Sequence, residues 1–254
     1  MRLTKLVVYE KHPAGYGTIL LNREEKRNAI SRQMTEELAK LLEELRKDPP
    51  KFLVLKSAGE RIFCAGGDLK ELNDELDEEE AFQHLTPMRE VLYQFATFPV
   101  PTLCLLQGNA LGGGCELATA CDLRIAKEGT SFGFVQSNLG ILPGWGGGAL
   151  LYKKVHPNFA LQWITEGTVF TASELVEKGW LHRVVPEEDW GKEEEILKPY
   201  LDKSFEQLSF LKGQFLKAID EESLAEAMIE ESRMSANLWP SETHKEAVRR
   251  FLKK

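Results

Sequence analysis

The sequence predicts an α/β fold in which parallel strands are joined by crossover helices and followed by a helical C-terminal region. Three observations predict it. Short apolar runs at 52–55 and 103–106, with a third such strand at 122–126, have the pattern of strands buried on both faces. The first two lead into glycine-rich turns that open helical patterns, SAGERIFCAGGDLKEL and QGNALGGGCELATAC. Strand, glycine turn and helix repeated at this spacing imply parallel pairing. From about Lys203 the pattern is helical alone, with Phe205, Leu208, Leu211, Phe215 and Ile219 on one face.

The remaining elements follow in order. Residues 3–10 and 16–21 read as two strands around a His12-Pro13-Ala14-Gly15 turn. A polar loop covers 22–28. Ser31 then caps a helix with the stripe Met34, Leu38, Leu41, Leu42 and Leu45, which Asp48-Pro49-Pro50 ends. Residues 71–80 hold seven acidic side chains. They read as a solvated surface segment or, from their position, as a flap beside Gly66-Gly67.

The bulk composition narrows the function. A chain of 254 residues with 43% hydrophobic content builds one large domain, or one domain plus a small helical appendage. A net charge of −8 argues against nucleic acid as a partner, because duplex binding needs a broad cationic surface. No run of about 18 apolar residues is present, so no membrane span is expected, and the N-terminus lacks the pattern of a signal peptide. Cys64, Cys104, Cys115 and Cys121 stand outside any C-x-x-C pair, which points to a reduced, cytoplasmic protein without a zinc site. The five histidines are scattered, and no metal is expected.

The chemistry centres on the glycine turns. A turn that opens a helix leaves backbone N–H groups unpaired, and the helix dipole favours negative charge there. Glycine lets a ligand approach that backbone closely. Two such turns at neighbouring strand ends bring two N–H groups to about 3 Å from one oxygen, forming an oxyanion hole. Glu116 follows Gly112-Gly113-Gly114 within the first helical turn, between Cys115 and Leu117. A carboxylate there is either a capping charge or a general acid/base. The three glycines, which a cap does not need, favour catalysis.

These residues also carry a family resemblance. FCAGGDL at 63–69, ALGGGCELATACDLRIA at 110–126 and NLGILPGWGGG at 138–148 resemble the enoyl-CoA hydratase/isomerase family, the crotonase superfamily. LNREEKRNAIS at 21–31 and FTASELVEKGWLHRVVP at 170–186 are similar to further segments of it. The resemblance implies a crotonase-like β–β–α spiral core over 1–200 that holds the acyl-CoA site. It implies a helical trimerisation region over 201–254, and homotrimers or dimers of trimers. The substrate it implies is an acyl-CoA thioester of fatty-acid or acyl-CoA catabolism, with coenzyme A part of the substrate and no separate cofactor. By position, the Ala65 and Gly113 N–H groups would form the oxyanion hole, with Glu116 as proton shuttle. Arg27, Ala29, Ala65, Gly66, Gly67, Asp68, Leu69 and Gly112 would line the coenzyme A path, and Phe251 and Lys254 would contact it from the C-terminus.

Three positions depart from the family pattern. Gln136 aligns with a second glutamate of the hydratases, and an amide neither gives nor takes a proton near neutral pH, although it can hold a water. Trp145 stands where many hydratases have a small residue, and Gly148-Ala149-Leu150-Leu151 replaces a common T-Q-R-L. The expected function is hydratase- or isomerase-type chemistry through an enolate, and the runner-up is decarboxylation of a malonyl-type (methylmalonyl or ethylmalonyl) CoA. A catalytically silent binding or assembly protein of the same fold is the rival from another class. Residues 144–149 also fit the dinucleotide pattern G-x-G-x-x-A. Cys64 and Cys115 flank the turns, as a thiol nucleophile would. Asp68 reads equally well as the N-cap of a following helix.

Overall fold

The computed structural model describes residues 5–68 and 76–252, the last two by backbone alone. β1 (Val7–Lys11) and β2 (Gly17–Leu21) form an antiparallel hairpin. Ser31 Oγ accepts the Met34 N–H and starts α1 (Arg32–Lys47), whose stripe Met34, Leu38, Leu42 and Leu45 is buried.

Three strand pairs follow. β3 (Leu53–Ser57) and β4 (Ile62–Cys64) precede α2 (Glu78–Ala96). β5 (Thr102–Leu106) and β6 (Asn109–Leu111) precede α3 (Gly113–Ala120). β7 (Leu123–Lys127) and β8 (Ser131–Gly133) precede α4 (Gly147–Lys154) and α5 (Pro157–Glu166). β9 (Val169–Thr171), α6 (Ala172–Glu177) and β10 (Arg183–Val185) complete the sheets. The chain ends in α7 (Glu193–Leu201), α8 (Phe205–Ile219), α9 (Glu221–Leu238) and α10 (Glu242–Leu252).

Each strand pair is divided between two sheets. The first strand joins a six-stranded sheet in the order β1-β2-β3-β5-β7-β10, parallel from β2 onward. The second joins a four-stranded sheet, β4-β6-β8-β9, in which only the β8–β9 pairing is antiparallel. Strand, strand and helix repeated in this way make the β–β–α spiral. The continuous apolar runs are explained by burial on both faces of the larger sheet. Leu53, Leu55, Cys104 and Leu106 face the main core, and Val54, Leu103 and Leu105 face a second core with Tyr16, Phe52, Ile196 and Leu197.

The structure differs from the sequence expectation in two respects. The smaller sheet is absent from the sequence reading because its four strands are only three residues long and three of them lie inside glycine-rich stretches. The helix expected directly after CAGGD is, among the described residues, α2, and Asp77 rather than Asp68 caps it. Asp77 accepts the Glu80 N–H while Glu80 accepts the Asp77 N–H, so the acidic run ends as a capping box. Half of the flap expected at 71–80, residues 71–75, lies outside the described residues.

The C-terminal helices are tied into the core. α9 packs on α2 and α4, its Ser232 hydroxyl donates to Gly144 O (2.7 Å), and its Ser235 hydroxyl donates to Leu142 O (3.0 Å). These bonds hold the Leu142–Trp145 loop against α9, and that loop is one wall of the candidate site.

Candidate active site

The loop before α1 is zipped onto the first glycine turn. Arg27 and Asn28 adopt left-handed backbone (φ 55° and 51°), which lets the loop turn back on itself. Asn28 secures it by donating to Ala58 O and Ile62 O. Three backbone bonds then join loop and turn: Ala65 N–H to Arg27 O (3.1 Å), Ile30 N–H to Gly66 O (2.8 Å) and Asp68 N–H to Ile30 O (2.9 Å). Asp68 also pairs with Arg23 (2.7 Å).

The second glycine turn lies against the first. Gly66 has φ +97°, and a Cβ there would lie 3.2 Å from Leu111 O and 3.3 Å from Gly113 N, so only glycine fits the approach. The Ala65 N–H expected in the oxyanion hole is instead bonded to Arg27 O, because the 23–30 loop pairs with this strand extension. Among the described residues no acceptor takes the Gly67 or Gly113 N–H. Gly113 is the first residue of α3, where an N–H has no intrahelical partner. The Trp145 indole covers both: a Cβ on Gly67 would touch it at 3.4 Å, and one on Gly113 would overlap it.

These turns open on a cavity of about 520 Å³. Ile30, Leu85, Met88, Ile141 and Trp145 give it apolar walls, and its buried polar groups include the hydroxyls of Ser31, Thr35 and Ser235 together with Glu116 and Gln136. Glu116 is 2% exposed, and its carboxylate is saturated with donors. Oε1 accepts from Gln136 Nε2 (2.8 Å) and Gly144 N (3.4 Å), and Oε2 from Trp145 N (2.9 Å) and Gly147 N (3.0 Å). Burial raises its pKa above the ordinary carboxylate value, and these four donors oppose the rise. Glu116 thus caps a helix, as one expectation had it, but the helix is α4 and not its own. It also reaches the cavity, as the other required. Gln136 must turn its NH₂ toward the carboxylate, which leaves its buried Oε1 without a partner among the described residues.

The other expected residues divide. Gly66, Gly67, Asp68 and Gly112 line the cavity. Ala29 stays in the loop, its carbonyl taken by Arg23 (2.9 Å). Arg27 faces a separate surface hollow of about 700 Å³ that it shares with Arg61. Leu69, Lys254 and the Phe251 side chain lie outside the described residues. The sequence reading missed His84, Leu85 and Met88 of α2, together with Ser235 and Trp239 at the end of α9, all of which line the cavity. The helical spacing of Met228, Ser232, Ser235 and Trp239 was a signal that they share a face, but not that this face meets the glycine turns.

Two rivals lose their geometry. The amides of Gly144, Trp145 and Gly147 are taken by Glu116 and those of Gly146, Gly148 and Ala149 by Glu231, so the G-x-G-x-x-A stretch offers its amides to carboxylates and not to a pyrophosphate. Burial pushes the Cys64 thiol up to about 12 and raises Cys115 as well, the reverse of an activated nucleophile.

Comparison with known proteins agrees with the architecture. Residues 11–254 match the family model described as enoyl-CoA hydratase/isomerase. A protein of Mycobacterium bovis named "Probable enoyl-CoA hydratase echA8" is 30% identical over 238 residues, 94% of this chain and 91% of that one. Mouse "Enoyl-CoA hydratase domain-containing protein 2, mitochondrial" is 36% identical over 178 residues, 70% of this chain. This chain spans 60% of the mouse protein and 64% of a Mycosarcoma maydis relative, "Enoyl-CoA isomerase/hydratase fer4". Among solved structures, an enoyl-CoA hydratase of Bacillus halodurans superposes with a TM-score of 0.87 at 21% identity, covering 96% of this chain and 99% of that one. Another from Bacillus anthracis superposes at 0.77 with 27% identity over 98% and 96%.

Proposed function

We propose an activity from the premise that this chain belongs to the enoyl-CoA hydratase/isomerase family. The substrate is an acyl-CoA thioester whose carbonyl oxygen accepts the Gly67 and Gly113 N–H groups. Two fixed donors with the α3 dipole behind them stabilise negative charge on that oxygen and so favour an enolate. Glu116 moves the proton at carbon, and burial, which raises its pKa above the ordinary carboxylate value, makes it a stronger base for that step. The acyl chain lies among Leu85, Met88, Ile141 and Trp145. The pantetheine arm passes Ile30 and Asp68 toward the hollow where Arg27 and Arg61 offer cations to the phosphates.

One observation carries this reading: the two N–H groups left without acceptors and the buried carboxylate Glu116 open on the same cavity. Initial rates on crotonyl-, 3-enoyl-, methylmalonyl- and ethylmalonyl-CoA test it. Hydration or double-bond migration of an enoyl-CoA is the expected result. Carbon dioxide release from the malonyl thioesters without enoyl turnover would move the reaction to decarboxylation, and tight binding without turnover on any of them would leave a silent binding protein.

Assembly and location belong to the same proposal. Phe210 (74% exposed) and Leu211 (58%) on α8 support a homotrimer or a dimer of trimers, and the four unpaired cysteines support the cytoplasm. Fatty-acid or acyl-CoA catabolism is the process that chemistry serves.

A further inference from the structure

Two carboxylates from distant parts of the chain share the N-terminus of α4. Glu116 of α3 accepts from Trp145 and Gly147. Glu231 of α9 accepts from the next two amides, Gly148 (3.2 Å) and Ala149 (2.6 Å). The glycines make room for them: a Cβ on Gly147 would overlap the Glu116 side chain, and one on Gly148 would overlap the Glu231 carboxylate. Gly148 begins the stretch in which this sequence departs from the family pattern T-Q-R-L. Glu231 is not among the residues that line the cavity, so it meets Glu116 only across the helix end.

We propose that Glu231 is a positioning residue for Glu116: at neutral pH the two carboxylates hold one proton between them, and Glu231 carries it. This rests on the reading of Glu116 as the proton shuttle. A helix N-terminus supplies about half a positive charge, enough to favour one anion and not two in a buried setting. The anion belongs on Glu116, which takes four donors, Gln136, Gly144, Trp145 and Gly147, against the three backbone amides, Gly146, Gly148 and Ala149, that face Glu231. Burial and the nearby Glu116 charge both push Glu231 well above the ordinary carboxylate range. The other titratable group facing Glu231 is Tyr152 of α4, whose own pKa is raised by burial and by Glu231, so it is neutral here. α5 presents Ile164 to this site. α2 meets α9 through Glu79 and Arg89 against Arg233. Beside Glu116, the Cys115 thiol is also held neutral.

The arrangement leaves Glu116 as the single anion of the pair, charged and ready to accept a proton. At alkaline pH Glu231 loses its proton to solvent and becomes a second anion on the same helix end. Glu116 then binds a proton more tightly and returns it to product more slowly, which gives kcat an alkaline limb.

Difference infrared spectroscopy of the folded enzyme tests the pair without using turnover. The wild type at pH 7 should show a protonated carboxylic C=O band that Glu231→Gln removes. In Glu116→Gln, where Glu231 is intact, the band should persist at low pH but titrate away about one pH unit lower or more. A wild type without the band, or a band that survives Glu231→Gln, overturns the proposal. If Glu231→Gln does not fold, the Glu116→Gln titration decides instead, and an unmoved band there overturns the proposal equally. The kcat profile then separates the two readings. Glu231→Gln should keep the acid limb and lose the alkaline one, whereas a merely structural Glu231 would lower kcat alike at every pH. Bands that behave as stated, with a wild-type profile lacking the alkaline limb, support the pair and overturn Glu116 as the shuttle.

Discussion

α3 and α4 are two eight-residue helices that both begin on glycine runs, yet their N-termini do opposite things. At α3, among the described residues, no side chain caps the first turn and no acceptor takes the Gly113 N–H, which faces the cavity. At α4 the amides of Trp145, Gly147, Gly148 and Ala149 are all filled by Glu116 and Glu231. A glycine turn at a helix start is therefore only an offer of donors. Whether it binds a substrate oxygen or a side chain depends on whether the fold brings a carboxylate to it. Here Glu116 links the two ends, because it sits in the first turn of α3 and caps α4.

The largest effect should come from breaking that link. Glu116→Gln should lower turnover by about 10² to 10⁴ with acyl-CoA affinity nearly intact, measured by steady-state kinetics beside equilibrium binding. A variant that keeps more than about a third of wild-type turnover would make Glu116 only the cap of α4.

The open helix end can be tested by closing it. Gly113→Ala places a methyl group on the Trp145 ring and displaces what covers the two donors. Turnover should drop by about 10² to 10³, the loss typical of one oxyanion-hole donor. The equivalent substitution at the filled end, Gly148→Ala, pushes on Glu231 instead and should appear as about 1–3 kcal/mol of lost stability in urea unfolding. Equal kinetic losses from the two would erase the distinction between the ends.

Gln136→Glu sharpens the comparison by adding a carboxylate beside Glu116, where Gln136 Nε2 now donates at 2.8 Å. Two like charges so close raise one pKa, supplying an acid and a base at neutral pH. Crotonyl-CoA hydration should rise by about 10-fold or more, and any decarboxylation should fall. A wild type that already hydrates at about 10 s⁻¹ or above would show that Gln136 is no handicap.

The smallest effect is on stability against pH. Glu116 and Glu231 both have folded pKa values above the ordinary carboxylate range, so the folded state binds more protons than the unfolded one. Their contribution is present at low pH and is lost as pH rises from about 4.3 through the raised values. Tm of the wild type relative to Glu231→Gln should therefore fall by a few degrees between about pH 5 and pH 8. A constant difference would mean that Glu231 is already ionised in the folded protein over that range, as it is in the unfolded chain, and that its pKa is not raised.

Much of this was legible in the residues themselves. Ser31 as a cap, the apolar runs of β3 and β5, and the helical stripe of α1 are local patterns, and each became the element its spacing implies. The motifs 63–69, 110–126 and 138–148 were enough to place the chain in its family. The short strands of the second sheet were hidden, because three residues inside a glycine turn carry too little periodicity to stand out.

The sequence by itself determined which groups are available: glycines that admit close approach, a carboxylate at a helix start, and an amide, Gln136, one helical turn of chain beyond a short strand. Only the tertiary structure decided which of them are engaged. Ala65 and Gly67 look alike as donors in FCAGGDL, yet pairing with the 23–30 loop consumes the Ala65 N–H and leaves that of Gly67. Glu231 reads as one acid among several on an amphipathic helix until α9 sets it on Gly148, 83 residues earlier in the chain. Local conformation follows from neighbours in sequence, whereas the partner of an N–H or a carboxylate follows from long-range packing, which no short motif encodes.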